Sequence, residues 1–179
     1  MIFACPQALL ACGQASFDKR ASSMRWIEAF SLSLSLGQNH GIMKQDKYIF
    51  TLEIVVRDYE LDSEGIVNNA VYLHYLEHTR HAFVKQEGIP FGSLTRDGLI
   101  PVVRRMEIDY HTPLQSGDVM LSRLWLERKG ARFIFHQDIF RKADETAVVN
   151  AVVTIVCMTK DGRIDRGDDL AARMAKYLE

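Results

Sequence analysis

The chain has 179 residues, of which 47% are hydrophobic and 25% are charged, so its length fits one domain and excludes two large ones. Its 22 basic and 23 acidic side chains give a formal net charge of −1, which excludes the strongly basic surface of a nucleic-acid-binding protein. The cysteines Cys5, Cys12 and Cys157 follow no C-x-x-C spacing and predict neither a disulfide framework nor a zinc cluster. We therefore expect a reducing, cytoplasmic compartment, and no segment is apolar for long enough to be a membrane span.

The first 42 residues lack the sustained periodicity of the rest of the chain. Only residues 30–36 alternate as in a strand, and an isolated strand without a partner is unstable. Met43 begins a polar stretch that leads directly into a strand pattern. We therefore predict that residues 1–42 are a poorly ordered extension or an over-called translation start, and that residues 43–179 form a single domain.

The first predicted elements of this domain are a strand and a long helix. Residues 48–57 place apolar side chains at alternate positions, which predicts a strand. A polar loop follows, and Asn68 or Asn69 can cap a helix because an asparagine side chain accepts from the first-turn N–H groups. The helix is expected to run to about Glu87, where Gly88 is a typical stop.

The remainder of the domain is predicted to be mainly strands. Four are expected, at residues 102–111, 118–128, 132–141 and 147–159, and a short final helix at 170–178. This order predicts an α+β domain in which an antiparallel sheet packs against one long helix. Two of the strands, at 119–126 and 147–158, are apolar on both faces, so we expect another subunit to cover one face.

The most informative stretch spans residues 57–80, in which an aspartate, a glycine and an apolar pair precede a helix rich in aromatic residues. The matching positions are Asp62, Gly65, Ile66, Val67, Asn69, Tyr72 and Tyr75. This pattern resembles the hotdog-fold thioesterases of the 4-hydroxybenzoyl-CoA thioesterase type, especially bacterial acyl thioesterases and plant acyl-acyl-carrier-protein thioesterases. The resemblance covers about residues 47–160, including the later segment 109–117, and implies a hotdog fold: an antiparallel five-stranded sheet wrapped around one long helix.

Thioester hydrolysis requires a carboxylate that attacks the carbonyl or activates water, and a donor that stabilises the oxyanion. Asp62 lies in a loop just before the predicted helix, whose first turn supplies unpaired N–H groups. The resemblance implies that Asp62 is the nucleophile or general base and that the backbone N–H of Asn69 polarises the carbonyl. Gly65 belongs to the same motif, and the side chain of Asn68 either orients water or the acyl carbonyl, or caps the helix. The alternative for Asp62 is a turn-forming or capping role.

Substrate binding is predicted for five further residues: Val67 and Tyr72 of the motif, and Arg128, Lys129 and Arg132 near a hairpin tip. The three cations are candidates for the phosphates of CoA or of a carrier-protein pantetheine arm, although charge at a hairpin tip is often simply solvated. We predict no cofactor and no metal. The expected partners are an acyl thioester of CoA or acyl carrier protein, and further copies of the chain in a homodimer or homotetramer.

Three alternatives stay open from the sequence. His74, Glu77 and His78 match the H-x-x-E-H pattern of inverted zinc peptidases, and His81 shares the face of the two histidines; a solvated helix face is the other explanation. A dehydratase or hydratase with the same fold would use a histidine, and the Asp62 loop has none. The third is an acyl-binding module without turnover.

Overall fold

The computed structural model describes residues 47–90 and 92–178, so the predicted extension at 1–42 lies outside the described residues. The helices and strands are β1 Phe50–Val55, α1 Asn69–Gln86, α2 Ser93–Arg96, β2 Ile100–Tyr110, β3 Val119–Lys129, β4 Arg132–Arg141, β5 Ala147–Met158, β6 Ile164–Asp165 and α3 Asp168–Arg173. Two 3₁₀ turns span Asp58–Glu60 and Ala175–Tyr177. Every predicted strand is present, within two residues of its expected bounds.

The sheet has the strand order β1-β3-β4-β5-β2, with the two-residue β6 paired to the end of β5. All pairings are antiparallel. The helix α1 packs against β3 and β1. The predicted architecture of five strands and one long helix is confirmed, and β2 and β1 are the edges of the sheet.

The helix α1 begins where the sequence predicts a cap. Asn68 is extended, and its side-chain oxygen accepts a hydrogen bond from the N–H of Ala70, which satisfies one donor of the first turn. The helix ends before Gly88, whose φ of +73° favours glycine. The buried side of α1, formed by Tyr72, Tyr75, Leu76, Thr79, Arg80 and Phe83, packs on the sheet.

The two sheet faces differ more than the sequence predicts. In β3, Met120, Ser122, Leu124 and Leu126 are buried under α1, and the residues between them are only partly buried. The other face carries polar contacts: Asp138 accepts from the Tyr48 hydroxyl at 2.7 Å and from the Asn150 amide at 2.5 Å. None of the described elements of the chain covers this face with a second layer, so its coverage by another subunit stays a prediction.

The C-terminal segment contains a shorter helix than expected. The predicted helix at 170–178 is α3 followed by the 3₁₀ turn Ala175–Tyr177. Leu170, Ala171 and Met174 are buried in a core cluster with Phe83 and Phe133, so this segment covers one end of the sheet. No helix in the described part of the chain is long and apolar enough to cross a membrane.

Candidate active site

Asp62 lies in a tight reversal between β1 and α1. Leu61 and Val67 form an antiparallel bridge, and the N–H of Asp62 donates to the carbonyl of Ile66 at 2.8 Å. The sequence separates Asp62 from Asn69 by seven positions, but this reversal brings Asp62 beside Ile66. Three extended residues span at most about 11 Å, so Ile66, the residue bonded to Asp62, lies within that reach of the first residue of α1.

The Asp62 carboxylate both shapes this turn and keeps one oxygen available. Its Oδ1 accepts from the N–H of Glu64 at 2.9 Å and from the N–H of Ile66 at 3.5 Å. Its Oδ2 has no hydrogen-bond partner within residues 47–90 and 92–178. The side chain is half-buried. Turn formation therefore uses only one oxygen of the carboxylate, and the turn-forming and reactive roles are compatible.

Gly65 is required by the backbone conformation of this turn. Its φ of +77° lies in the left-handed region, which residues with a Cβ avoid. Its N–H donates to the carbonyl of Asp62 at 3.1 Å. The predicted importance of Gly65 is thus explained by the shape of the loop that carries Asp62.

Three hydrogen bonds hold the Asp62 loop and the residues beside it in place. The N–H of Val67 donates to the carbonyl of Leu114 at 2.9 Å, and the N–H of Asn68 donates to the carbonyl of Glu60 at 3.0 Å. The hydroxyl of Ser116 donates to the carboxylate of Asp58. The bonds to Leu114 and from Ser116 join the Asp62 loop to the 109–117 segment that also carries the family resemblance.

Glu60 is a buried carboxylate that braces the loop against α1. It accepts from the Tyr75 hydroxyl at 2.6 Å, and from the backbone N–H and guanidinium of Arg57 at 2.7 and 3.2 Å. Burial raises the pKa of Glu60, but the hydrogen bonds from Tyr75 and Arg57 and the charge of Arg57 together lower it by more. The pKa of Glu60 therefore lies below its ordinary value. Glu60 is therefore ionised near neutral pH, with each oxygen accepting from a donor.

The first turn of α1 presents one free donor. The side chain of Asn68 accepts from Ala70, and its carbonyl accepts from the N–H of Val71 at 2.9 Å. The N–H of Asn69 has no partner among the residues that the structure describes, and Asn69 is exposed. The Tyr110 hydroxyl donates to the carbonyl of Asn69 at 3.1 Å, which fixes the helix start against the end of β2.

Two predicted substrate-binding residues lie in the core of the single chain. Val67 is 3% exposed and Tyr72 is 4% exposed, and both belong to one apolar cluster. The Tyr72 oxygen accepts from the N–H of Leu114 at 3.3 Å. Burial raises the pKa of Tyr72 to about 12. Both residues therefore support the Asp62 loop from beneath, and a direct contact with substrate stays a prediction.

The three predicted phosphate-binding cations lie far from Asp62 in the same chain. The loop adjoins the start of β3, where the N–H of Val56 donates to the carbonyl of Asp118. Lys129 is at the other end of β3, about 34 Å away for ten residues of extended strand. Arg128 is engaged by the C-terminal segment through the Arg166 carbonyl and the Asp168 carboxylate, and Lys129 pairs with Glu127 at 3.0 Å. Arg132 is exposed. The structure does not bring these cations together with Asp62 in one chain.

Comparison with known proteins decides the family. The model of the family described as the Thioesterase-like superfamily matches residues 56–176. The chain belongs to this superfamily. The predicted resemblance is thereby confirmed, and the matched region contains the Asp62 loop, α1 and the strands β2 to β5.

Named relatives of the superfamily support the same assignment. A protein of Arabidopsis thaliana, acyl-acyl carrier protein thioesterase ATL3, chloroplastic, is 35% identical over 101 residues, which are 56% of this chain and 53% of that protein. The chain thus spans about half the length of this plant relative. The putative acyl-CoA thioesterase YneP of Bacillus subtilis is 30% identical over 110 residues, 61% of this chain and 79% of that protein.

A solved structure of the superfamily confirms the hotdog fold. The crystal structure of the probable thioesterase YbaW from Escherichia coli superposes with a TM-score of 0.64 and 26% sequence identity. The match covers 72% of this chain and 98% of that chain. The sheet wrapped around α1 is therefore also the arrangement of this probable thioesterase.

The histidine face of α1 offers no metal centre in the described structure. His74, His78 and His81 are exposed, and His81 lies 3.9 Å from the Glu77 carboxylate. No group of three or more His, Cys, Asp or Glu side chains that could hold a metal ion occurs in residues 47–90 and 92–178. The described contacts match the solvated helix face that the sequence also allowed.

Sequence reasoning missed several residues that build the site. Tyr110 fixes the start of α1, Ser116 bonds Asp58, and Glu60 bonds Tyr75 of α1. One local signal existed, because Arg57 and Glu60 are three positions apart and form an ion pair at 3.2 Å. The contacts of Tyr110 and Ser116 join residues 41 and 58 positions apart and have no local signal.

Proposed function

We propose that this protein hydrolyses the thioester bond of an acyl-CoA or an acyl-acyl-carrier protein. One observation carries the proposal: a half-buried carboxylate with a free oxygen, Asp62, is held by a tight reversal near the unpartnered N–H of Asn69 at the start of α1. Membership of the superfamily and the names of its relatives support the same chemistry.

In this proposal the Asn69 N–H binds the thioester oxygen. Negative charge develops on that oxygen when the carbonyl is attacked, and a fixed backbone donor stabilises it. The positive end of the α1 dipole adds to this stabilisation. The bond from Tyr110 and the cap from Asn68 hold the donor in place before substrate arrives.

Asp62 performs the attack in one of two ways. As a nucleophile, its Oδ2 bonds to the carbonyl carbon, the C–S bond breaks, the thiolate leaves, and water then cleaves the acyl–aspartyl anhydride. As a general base, Asp62 removes a proton from water as the water oxygen bonds to the carbon, and the thiol leaves with a proton. Both routes give one free acid and one thiol per water consumed.

We further propose that the chain acts as a homodimer joined along β2. This strand is 11 residues long and lies at one edge of the sheet. Its Val103 is 50% exposed and its Tyr110 is 43% exposed, and Leu73 on the adjacent side of α1 is 40% exposed. A long unpaired edge with apolar side chains favours pairing with another strand, and a second copy would then cover the flank of the site beside Asn69.

A panel of thioesters of graded acyl length, carried by CoA and by acyl carrier protein, tests the function. We expect that, for the CoA thioesters or the acyl-carrier-protein thioesters, the rate of thiol release increases in proportion to enzyme concentration and the free acid is formed. Release from neither carrier would contradict hydrolysis. Binding of the thioesters without release would identify a non-catalytic acyl-binding module.

A further inference from the structure

The middle of α1 contains a buried arginine that the proposed chemistry does not use. Arg80 is 6% exposed and lies on the side of the helix that packs on the sheet. Its guanidinium donates to the side-chain oxygen of Gln137 at 2.8 Å, and the Gln137 amide donates to the carbonyl of Leu76 at 2.9 Å. Gln137 itself is fully buried.

Arg80 belongs to a polar row that divides the interior. Thr79 donates to the Ser122 hydroxyl at 2.7 Å, so four polar side chains, Thr79, Arg80, Ser122 and Gln137, lie between α1 and the sheet. One apolar cluster, with Tyr72 and Ile139, lies on the Asp62 side of this row. The other, with Phe83 and Phe133, lies on the far side.

The guanidinium of Arg80 forms no ion pair with any carboxylate within the described residues. A guanidinium has five N–H donors, and in residues 47–90 and 92–178 only the bond to Gln137 engages them. Burial lowers the pKa of Arg80, and the carboxylate of Glu77 offsets this only in part. A buried charge is costly unless an opposite charge or further acceptors satisfy it, so the site is built for an acceptor that the single chain does not supply.

Arg80 lies on the same helical stripe as Asn69, the residue that carries the proposed oxyanion donor. Positions 69, 73, 76 and 80 follow the i, i+4, i+7, i+11 spacing of one helical stripe. Tyr110 of β2 contacts this stripe at Asn69, and Gln137 of β4 contacts it at Arg80, whereas Thr79 faces β3. The stripe therefore runs from β2 at Asn69 to β4 at Arg80, along the flank of the helix that faces away from β1.

This flank is the less covered side of the helix and is mainly apolar. Leu73 is 40% exposed, and Ile108 and Met106 of β2 are only partly buried. Between Gln137 and Ile108 the sheet carries the small Ala151. Eleven helical residues span about 16 Å, and the Arg80 side chain leans back toward the helix start, so an extended chain of medium length bridges Asn69 and the guanidinium.

We propose that the acyl group lies along this flank from Asn69 and that Arg80 binds a carboxylate or other oxygen-bearing group at its far end. This inference rests on the proposed function and narrows the substrate to acyl thioesters with a polar distal end. Leu73, Ile108 and Met106 contact the methylene chain, and Gln137 holds the guanidinium in place.

Matched pairs of CoA thioesters test the proposal on the full-length protein. Octanoyl-, decanoyl- and dodecanoyl-CoA are compared with their ω-carboxy and ω-hydroxy counterparts. For at least one length, kcat/KM is expected to be about tenfold or more higher for the ω-carboxy form, because a buried hydrogen-bonding site rejects an analogue that leaves it unpaired. In Arg80→Met this ratio should fall to about one, and in the control Lys85→Met, an exposed cation of the same helix, it should not change.

A binding measurement separates this proposal from the proposed hydrolysis. The free dicarboxylic acids should raise the melting temperature of the wild-type protein more than the monocarboxylic acids of equal length, and Arg80→Met should abolish the difference. If no thioester is hydrolysed but this difference persists, hydrolysis fails and the Arg80 site stands. The Arg80 site is overturned if the wild-type protein prefers the carboxylate-bearing chains neither in turnover nor in binding. This test uses the wild-type protein alone, so it holds even if Arg80→Met does not fold.

Discussion

Replacing Glu60 by Gln tests whether the buried carboxylate braces the Asp62 loop. In the structure Glu60 Oε2 accepts from the Tyr75 hydroxyl and from the Arg57 N–H. A glutamine oxygen in that place keeps both bonds but removes their charge assistance. The amide nitrogen also loses the ion pair of Oε1 with the Arg57 guanidinium, which contributes little because the Arg57 side chain is exposed. Bonds to a charged group contribute about 1 kcal/mol more than neutral ones, so the two bonds predict a loss of about 2 kcal/mol in the free energy of unfolding. For a domain of this size that lowers the melting temperature by about 6–10 °C.

Thermal unfolding of Glu60→Gln is compared with Glu64→Gln, which changes an exposed carboxylate in the same loop. The pKa of Glu60 in the folded state lies below its value of 4.5 when unfolded, so its stabilisation is complete above about pH 4.5 and is lost as the pH falls through the folded-state pKa. The deficit of Glu60→Gln should therefore shrink in acid. Equal melting temperatures of the two variants near neutral pH, or a deficit that grows in acid, would refute the bracing role.

Three other predictions concern the helix cap, the assembly and the N-terminal segment. Asn68→Ala should lower the free energy of unfolding by about 1 kcal/mol through loss of the cap on Ala70, and Asn68→Asp, which can still cap, should not; chemical denaturation distinguishes them. Light scattering should give a dimer mass or a multiple of it, and Val103→Lys on the edge strand should reduce the mass to that of a monomer; an unchanged mass would exclude the β2 interface. Deletion of residues 1–42 should leave the melting temperature and thiol release nearly unchanged, and a large loss of either would show that the segment belongs to the fold.

The regular elements could be predicted because their patterns are local. A strand is predicted from alternation among neighbouring residues, as in 48–57. The helix bounds are likewise predicted from single local residues, Asn68 as the cap and Gly88 as the stop. The order of the elements predicts an antiparallel sheet on one long helix, and the hotdog fold was inferred only through the family resemblance. The strand order β1-β3-β4-β5-β2 was not predicted, since strand periodicity does not specify which strands pair. The outer face of β3 is more polar than its apolar residues suggested. Arg123 and Glu127 share that face, and they form ion pairs with Glu145 and Lys129, each at 3.0 Å.

The candidate site was predicted in part. Asp62, Gly65, Asn68 and Asn69 come together because a short reversal and a helix cap are both encoded locally. Arg128, Lys129 and Arg132 were predicted to bind the substrate because their charge is evident in the sequence. The sequence does not show that Asp168, 40 positions after Arg128, pairs with it. The buried hydrogen bonds of Glu60 to Tyr75 and of Arg80 to Gln137 were not predicted for the same reason: their partners lie 15 and 57 positions away.

The most direct test of the account is the turnover of Asp62→Asn. Asparagine preserves the size and the turn-forming oxygen that accepts from Glu64, but it cannot attack the carbonyl or accept a proton. The account predicts that kcat for thioester hydrolysis falls about a hundredfold or more, with a melting temperature close to wild type, while Glu64→Gln retains full activity. A folded Asp62→Asn protein with wild-type turnover would contradict the assignment of Asp62 as the reacting carboxylate.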